Sequence, residues 1–530
     1  MQNLIQLDME RTKFSDSGVS DYSWPHSTEH LRPFRDDLVS GLVAETRSVR
    51  KEGKQGSEGL SILLHHLFLE VLSLYYCVSV IQGYAAMGRQ VAAPHRARVM
   101  SALSVGKNPP PPAIASILLE GPHRPSAWRL PMRIARDVVV TDKIVRRRLL
   151  GPDFGHEIIA ATIYPLMEAH ANHCGKRVTF RRPHIWFADR PRIKKADELK
   201  ALVTRVCDIA ADAFGRHGVP VPMGFRELFD SWLGHAIAQA EGWLKIVAHA
   251  RVTLPRQLWV GSGGDIWTRI LRHAVRNNGG EVTAHDHGSG TGQFIGEMHD
   301  NVIEFDFCDR FVTFTPEQAK GLRQHHLNPR FLMREDIPEI VGLPATVKGQ
   351  ALTKTPKARA PQRVMLISSY YYGDVIPYQA FISDIAYLDF EVRLLSHLRG
   401  WGYEIIYKPH PLITTRPPAD FADNFGGREI DRPSEQVLSQ ADILILPDPS
   451  STAFATSLAS SVPAIFIDLG LFTHSETALK ALKTRCAIVS AVCGPNQRVS
   501  IDWDNLRHAL VVAPNPGDNT YFQLFHSHAG

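Results

Sequence analysis

The sequence predicts an α/β protein made of two Rossmann-like, doubly wound domains with a helical elaboration towards the N-terminus. Three observations predict it. From Gln257 to Thr315, and again from Arg363 to Asp468, short apolar runs alternate with helix-period stretches, the rhythm of a parallel sheet covered on both faces. Between them, residues 345–362 carry Lys348, Lys354, Lys357 and Arg359 around Pro356 and Pro361, a linker composition. Residues 155–250 repeat apolar positions at three-and-four spacing, most clearly over Asp197–His217 and Phe225–Ala250, which is a helical pattern.

In chain order, residues 1–58 are polar and lack sustained periodicity, so they read as a poorly structured arm. Leu60–Ala86 is long and apolar enough to span a membrane, but it contains His65, His66, Glu70 and Gln82. Central charge is costly in lipid, so a buried helix is expected. Gly106–Pro112 is a stiff connector. The first domain, residues 59–344, then offers a strand from Gln257, a helix over Asp265–Asn277 ended by Gly279 and Gly280, a strand at Glu281–His285, and a third from Arg310 before the helix-opening Pro316. The second domain, residues 363–530, offers strands at Arg363–Ser369, Tyr403–Lys408, Asp442–Leu446 and Pro463–Asp468. Helices at Tyr378–Gly400, Ser434–Gln440 and Thr452–Ser460 separate them.

Composition is that of an ordinary globular chain: 44% hydrophobic and 21% charged over 530 residues. A net charge of +5 and a pI near 8.8 suit anionic substrates or an acidic membrane face. No aromatic-basic signature of nucleic-acid binding is present. The six cysteines form no CxxC pair, so a reducing compartment and no metal cluster are expected. The first residues lack the basic start and apolar core of a signal peptide. The expected location is cytoplasmic, with peripheral association at the inner face of the cytoplasmic membrane. The basic runs Arg146–Arg148 and Lys176–Lys195 read as solvated faces.

Ligands of open α/β sheets bind beyond the carboxyl ends of the strands, which directs attention to the loops there. Lys408-Pro409-His410-Pro411 ends one strand. Its prolines hold the loop extended, and His410 and Lys408 suit a phosphate or a leaving group. Asp448-Pro449-Ser450-Ser451-Thr452 ends the next strong strand and opens a helix, where free N–H groups and the helix dipole favour anions at the three hydroxyl residues. Plain N-capping is the alternative. Ser369 and the aromatic run Tyr370–Tyr372 end the first strand of that domain; three consecutive tyrosines cannot all be core. In the first domain, Asp286-His287-Gly288-Ser289-Gly290 follows a strand. His287 is the candidate general base, with Asp286 beside it and Gly288 and Gly290 allowing close backbone approach. Gly263, Gly264 and Asp265 form a similar loop. It lacks the Lys-Ser/Thr of a P-loop, and Asp265 is a candidate for catalysis or for an N-cap.

With its His-Gly loop, Lys-Pro-His-Pro and Ser-Ser-Thr helix start, the stretch Gln257–Gly470 resembles GT-B glycosyltransferases. More narrowly, it resembles bacterial surface-polysaccharide transferases: capsule Kdo transferases, HP-motif sialyl- and polysialyltransferases, and CDP-glycerol glycerophosphotransferases. The Asp/Glu-Asp/Glu-Gly motif typical of polysialyltransferases is missing near His287. The resemblance implies a cytidine-nucleotide donor held by His410, Ser450, Ser451 and Thr452, and a reacting centre at His287. Lys408 and Ser369 join the donor side. The expected activity is metal-independent transfer of an acidic sugar (Kdo or another nonulosonate) from a CMP-activated donor to a surface polysaccharide or lipid-linked glycan. If the reaction retains configuration, Asp286, Asp265 or Glu297 are candidate nucleophiles. Rival expectations are polyol-phosphate transfer from CDP-glycerol or CDP-ribitol, a nucleotide-sugar epimerase, and a non-catalytic assembly subunit.

Overall fold

The computed structural model describes residues 4–6, 12–20, 22, 24–25, 31–92, 98–107, 110–120, 158–162, 164–187, 190–191, 196–250, 253–261, 263–288, 291–296, 300–344, 362–372, 382–411, 417–418, 420–494, 497–512, 518 and 520–525. Two short pairs come first. β1 (Leu4–Gln6) runs parallel to β4 (Gln90–Ala92), and β2 (Phe14–Ser15) forms a hairpin with β3 (Gly18–Val19).

Two larger sheets organise the rest, so the α/β class holds. The first contains β5 (Ile158–Ala160), β6 (Val178–Phe180), β7 (Gln257–Val260), β8 (Glu281–His285), β9 (Arg310–Thr313) and β10 (Glu339–Gly342). They are ordered β10-β9-β8-β7-β5-β6 and are all parallel. The second contains β11 (Arg363–Ile367), β12 (Glu404–Lys408), β13 (Arg428–Glu429), β14 (Ile443–Leu446), β15 (Ala464–Asp468), β16 (Ala487–Cys493) and β17 (Val499–Ile501). Their order is β13-β12-β11-β14-β15-β16-β17, with only β17 antiparallel to its neighbour. Both faces of this sheet are buried. Val364, Leu366, Ile405 and Tyr407 pack in one cluster, and Met365, Ile367, Ile406 and Leu444 in another. Each sheet reverses its strand order once, between β5 and β7 and between β11 and β14. These switch points are where open α/β sheets form a crevice.

β7, β8, β9, β11, β12, β14 and β15 fall where the sequence places strands. β5, β6, β10, β13, β16 and β17 were not foreseen: five of them span two to four residues, too few to show a clear period of two, and the seven-residue β16 ends in an antiparallel pair at the sheet edge. The helix expected from Tyr378 is described over Asp384–Gly400, capped by the Ser383 hydroxyl; residues 373–381 lie outside the described residues, as does most of the 345–362 linker.

The expectation of a poorly structured arm over 1–58 is corrected in part. Leu31–Lys51 forms a 21-residue helix, α1. Leu31, Phe34, Leu38, Leu42 and Val49 lie on its buried side, facing α2 (Ser57–Ala86) and the Lys200–Arg216 helix. Phe34 stacks on Tyr75 of α2 with centroids 3.6 Å apart and meets Phe214 edge-on. The arginines and acids between these apolar positions hid the stripe. α2 is the one described helix long and apolar enough to cross a membrane, and 78% of its most apolar window is buried within the protein.

Both ends of the chain tie the two sheets together. The β2–β3 hairpin lies on the second-sheet side, where Phe14 packs against Phe421 and Phe425. The Val19 N–H donates to Asp389 Oδ1 at 2.9 Å. Gly18, at φ +116°, fits where a Cβ would collide with Asp389. Asp389 is fully buried and also receives Arg393 Nε and Arg498 Nη2, each at 2.9 Å. At the other end, the Thr520–Phe525 helix packs in the second domain's core, with Tyr521 edge-on to Phe454, and reaches across to the first-sheet side. There the Thr315 hydroxyl donates to the Leu524 carbonyl, and the Tyr521 hydroxyl bonds the Gln293 side chain.

Removing one member of a buried charge cluster leaves the others uncompensated. Asp389→Ala is expected to lower unfolding free energy by about 3 kcal/mol. In limited proteolysis the first cut of that variant should fall near Lys13, where the hairpin is no longer held.

Candidate functional site

At the second switch point, the strand ends supply hydroxyls, an imidazole and a carboxylate. Ser369 follows β11, His410 follows β12, and Asp448–Ser451 follows β14. Asp448 joins them. Its Oδ2 accepts from Ser369 Oγ at 2.8 Å, and its Oδ1 accepts from Ser450 N and Oγ at 2.9 and 2.7 Å. Ser451 Oγ donates to the Asp448 carbonyl at 3.2 Å and accepts from Phe454 N at 3.1 Å. The loop is therefore a self-bonded turn spanning β11 and β14. His410 is half-buried, with the Tyr370 ring edge-on at 5.2 Å. Burial lowers its pKa, Asp448 opposes that shift and Lys408 adds to it.

This arrangement revises several roles read from the sequence. Ser451 is an N-cap, and the helix it caps, Thr452–Leu458, is only seven residues long. Ser369 and Ser450 donate their hydroxyl protons to Asp448, so they offer lone pairs rather than protons to a ligand. Thr452 is exposed at the helix start. Lys408 is buried, on the Ile406 side of the strand. Its Nζ donates to the Pro409 carbonyl at 2.8 Å. Burial lowers its pKa against the pull of Asp431, Glu429 and Glu435.

Beneath this loop lies a buried polar network that the sequence did not reveal. Glu391 Oε2 lies 2.5 Å from Tyr371 Oη and 2.9 Å from Tyr407 Oη, and Tyr407 Oη lies 3.1 Å from Ser368 Oγ. The Ser369 N–H donates to Tyr387 Oη at 2.9 Å. Of the tyrosine run, Tyr371 is core while Tyr370 and Tyr372 are partly exposed. Burial pushes the Glu391 carboxyl up to about 7, with its hydroxyl partners opposing the shift.

At the first switch point, β5, β7 and β8 end together. The Gly261 N–H donates to Thr162 Oγ1 at 2.8 Å, and the Tyr164 ring occupies the space a Gly261 Cβ would need. At Gly263 a Cβ would strike the Ile303 carbonyl, and its N–H donates to Glu304 Oε2 at 2.9 Å. Asp265 serves as N-cap, its Oδ2 accepting from Thr268 N and Oγ1 at 2.8 Å each. Gly264 beside it is half-buried. Asp286 is buried, accepts from the Gly288 N–H at 3.1 Å, and has its pKa raised by burial, with the His287 charge opposing. A Cβ at Gly288 would meet open space, with no protein atom within 4 Å. Gly290, Ser289 and Glu297 lie outside the described residues. His287 is exposed, 4.0 Å from Glu304 and 6.2 Å, ring to ring, from Tyr164.

The two loops meet. Gln293, in the loop after His287, donates from Nε2 to the Pro449 carbonyl at 3.1 Å. Its backbone carbonyl accepts from Ser475 N at 2.8 Å, and Ile295 N donates to the Thr473 carbonyl at 2.8 Å. Phe294 stacks on Phe472 at 4.5 Å. The residues that sequence reasoning missed are thus Asp448, Glu391, Gln293, Tyr164 and Glu304. Only Asp448 lay inside a motif already singled out. No family model matches the chain, and no curated protein matches it.

A carboxyl whose folded pKa is raised stabilises the fold most below its unfolded value of 4.5, and that contribution is lost as pH rises through about 7. Glu391→Gln should flatten the fall in stability between these limits, by on the order of 3 kcal/mol. Urea unfolding at a series of pH values measures it.

Proposed function

We propose that the chain is a GT-B glycosyltransferase that moves an acidic sugar from a CMP-activated donor to a surface polysaccharide or lipid-linked glycan. The observation that supports this reading is the Gln293–Pro449 contact. It sets two strand-end loops of different chemistry against one another, an exposed imidazole on one side and an imidazole–carboxylate–hydroxyl cluster on the other. A group-transfer reaction needs such a division, with one side activating the acceptor and the other holding the donor.

On the donor side, His410 is placed to donate to the leaving phosphate, and Asp448 beside it favours its protonated form as negative charge develops. The lone pairs of Ser369 and Ser450, directed away from Asp448, suit the hydroxyl or amino donors of a nucleoside. Tyr370 offers a ring face for a base. On the acceptor side, His287 takes the proton of the attacking hydroxyl.

A thermal-shift panel of CMP, CDP, UDP and GDP tests the reading. A cytidine nucleotide at 100 times its dissociation constant should add about 2.7 kcal/mol of stability. His410→Ala should abolish that shift, and Lys408→Ala should leave most of it in place. Absence of response to both cytidine nucleotides would sink the proposal. Response to UDP alone would replace the donor with an ordinary uridine-linked hexose.

A further inference from the structure

The exposed imidazole of His287 needs something behind it to fix which ring nitrogen carries the proton. The sequence offered its neighbour Asp286 for the task. In the structure Asp286 is buried and accepts from the Gly288 N–H. Another carboxylate stands closer to the role. Glu304 is buried, and its Oε1 lies 4.0 Å from His287 Nδ1. Its other oxygen is held from behind by the Gly263 N–H at 2.9 Å and by Arg272 Nη2 at 3.8 Å. Arg272 is itself fixed, donating to the Gly261 carbonyl. Glu304 sits on a π-helical turn, Asn301–Phe305, a local geometry found often at functional sites. That turn is braced by Arg269 Nη1, which donates to the Val302 carbonyl at 3.0 Å and the Gly263 carbonyl at 3.2 Å.

We propose that Glu304 is the positioning carboxylate of a His287–Glu304 dyad: it holds the proton on Nδ1 and so leaves Nε2 as the base. At 4.0 Å the pair is at ion-pair distance, and a small rotation of the exposed His287 side chain brings it to hydrogen-bond distance. The charge that develops on the imidazole is then met by a carboxylate that is already fixed in place. The catalytic part rests on the glycosyltransferase reading above. There, Nε2 accepts the proton of the acceptor hydroxyl while the acceptor oxygen bonds to the anomeric carbon. The bond from that carbon to the phosphate oxygen breaks, and its electron pair leaves with CMP. Solvent later takes the proton from His287.

The test separates the two claims. Full-length protein labelled with ¹⁵N-histidine is observed at about pH 8.5, where imidazoles are largely neutral, and His287→Gln identifies the resonance by its loss. Wild type should show the Nδ1–H tautomer, and Glu304→Gln should return it to the Nε2–H form that free imidazole prefers. The amide of that variant still accepts from Gly263. An Nε2–H tautomer in wild type, or an unchanged tautomer in Glu304→Gln, overturns the dyad. Because the wild-type spectrum alone can do so, a variant that fails to fold does not rescue the idea. With donor and acceptor present, Glu304→Gln should lower kcat by about 100-fold with little change in KM, and Glu304→Asp should recover part of it. An unchanged kcat also overturns the dyad. Absent transfer in wild type with the Nδ1–H tautomer intact would overturn the transferase reading and leave the dyad standing.

Discussion

The site depends on one buried amide. Gln293 is fully buried, and its polar groups reach partners on the second-sheet side. Its Nε2 donates to Pro449, its Oε1 receives the Tyr521 hydroxyl, and its backbone carbonyl receives Ser475 N. A buried amide with each of these groups paired is specific, because any displacement would strand several at once. His326 secures the same segment from behind, bonding Asp300 at 2.6 Å and the Phe294 carbonyl at 3.0 Å. The two chain ends add to this. The β2–β3 hairpin docks on Asp389, and the Thr520–Phe525 helix, seated in the second domain's core, bonds Thr315 and Gln293 across the gap.

Close approach explains the glycines of the first switch point. Gly261 admits the Tyr164 ring and Gly263 admits the Ile303 carbonyl. Two buried arginines of the Ile266–Asn277 helix, Arg269 and Arg272, then fill the space behind with donors to backbone carbonyls. Burying guanidinium groups is costly unless their protons are taken up. Here the carbonyls of Gly261 and Gly263, the π-helical turn and α2 accept most of them, the Arg272 Nε excepted. Glu304 lies within ion-pair distance of one of these arginines, which ties the position of a candidate acid–base group to the packing of the core.

The loop after β14 shows how far residue types alone can be read. Ser450, Ser451 and Thr452 look like phosphate ligands when only their hydroxyls are counted. Asp448, two residues earlier, takes up the Ser450 proton, and the loop closes on itself. Lys408 illustrates a simpler point. A strand alternates its faces, so Lys408 shares a side with Ile406 and not with Tyr407. That placement was legible from the sequence, and it sets Lys408 on the buried side of the strand, where its ammonium donates to the Pro409 carbonyl.

By itself the sequence determined the α/β class, the strands β7–β9, β11, β12, β14 and β15, the buried character of α2 and the strand ends that carry His287, His410 and Asp448. These follow from periodicity, apolar run length and turn residues, which are local properties. The tertiary structure decided what local properties do not encode. Strands of three residues, such as β5 and β6, exist because a neighbour pairs with them. The α1 stripe became visible once α2 stood against it. The pairing of Asp448 with Ser369 joins residues 79 positions apart, and that of Glu304 with Gly263 spans 41. Such contacts arise where parallel strands bring distant loops to one edge, and no spacing along the chain records them.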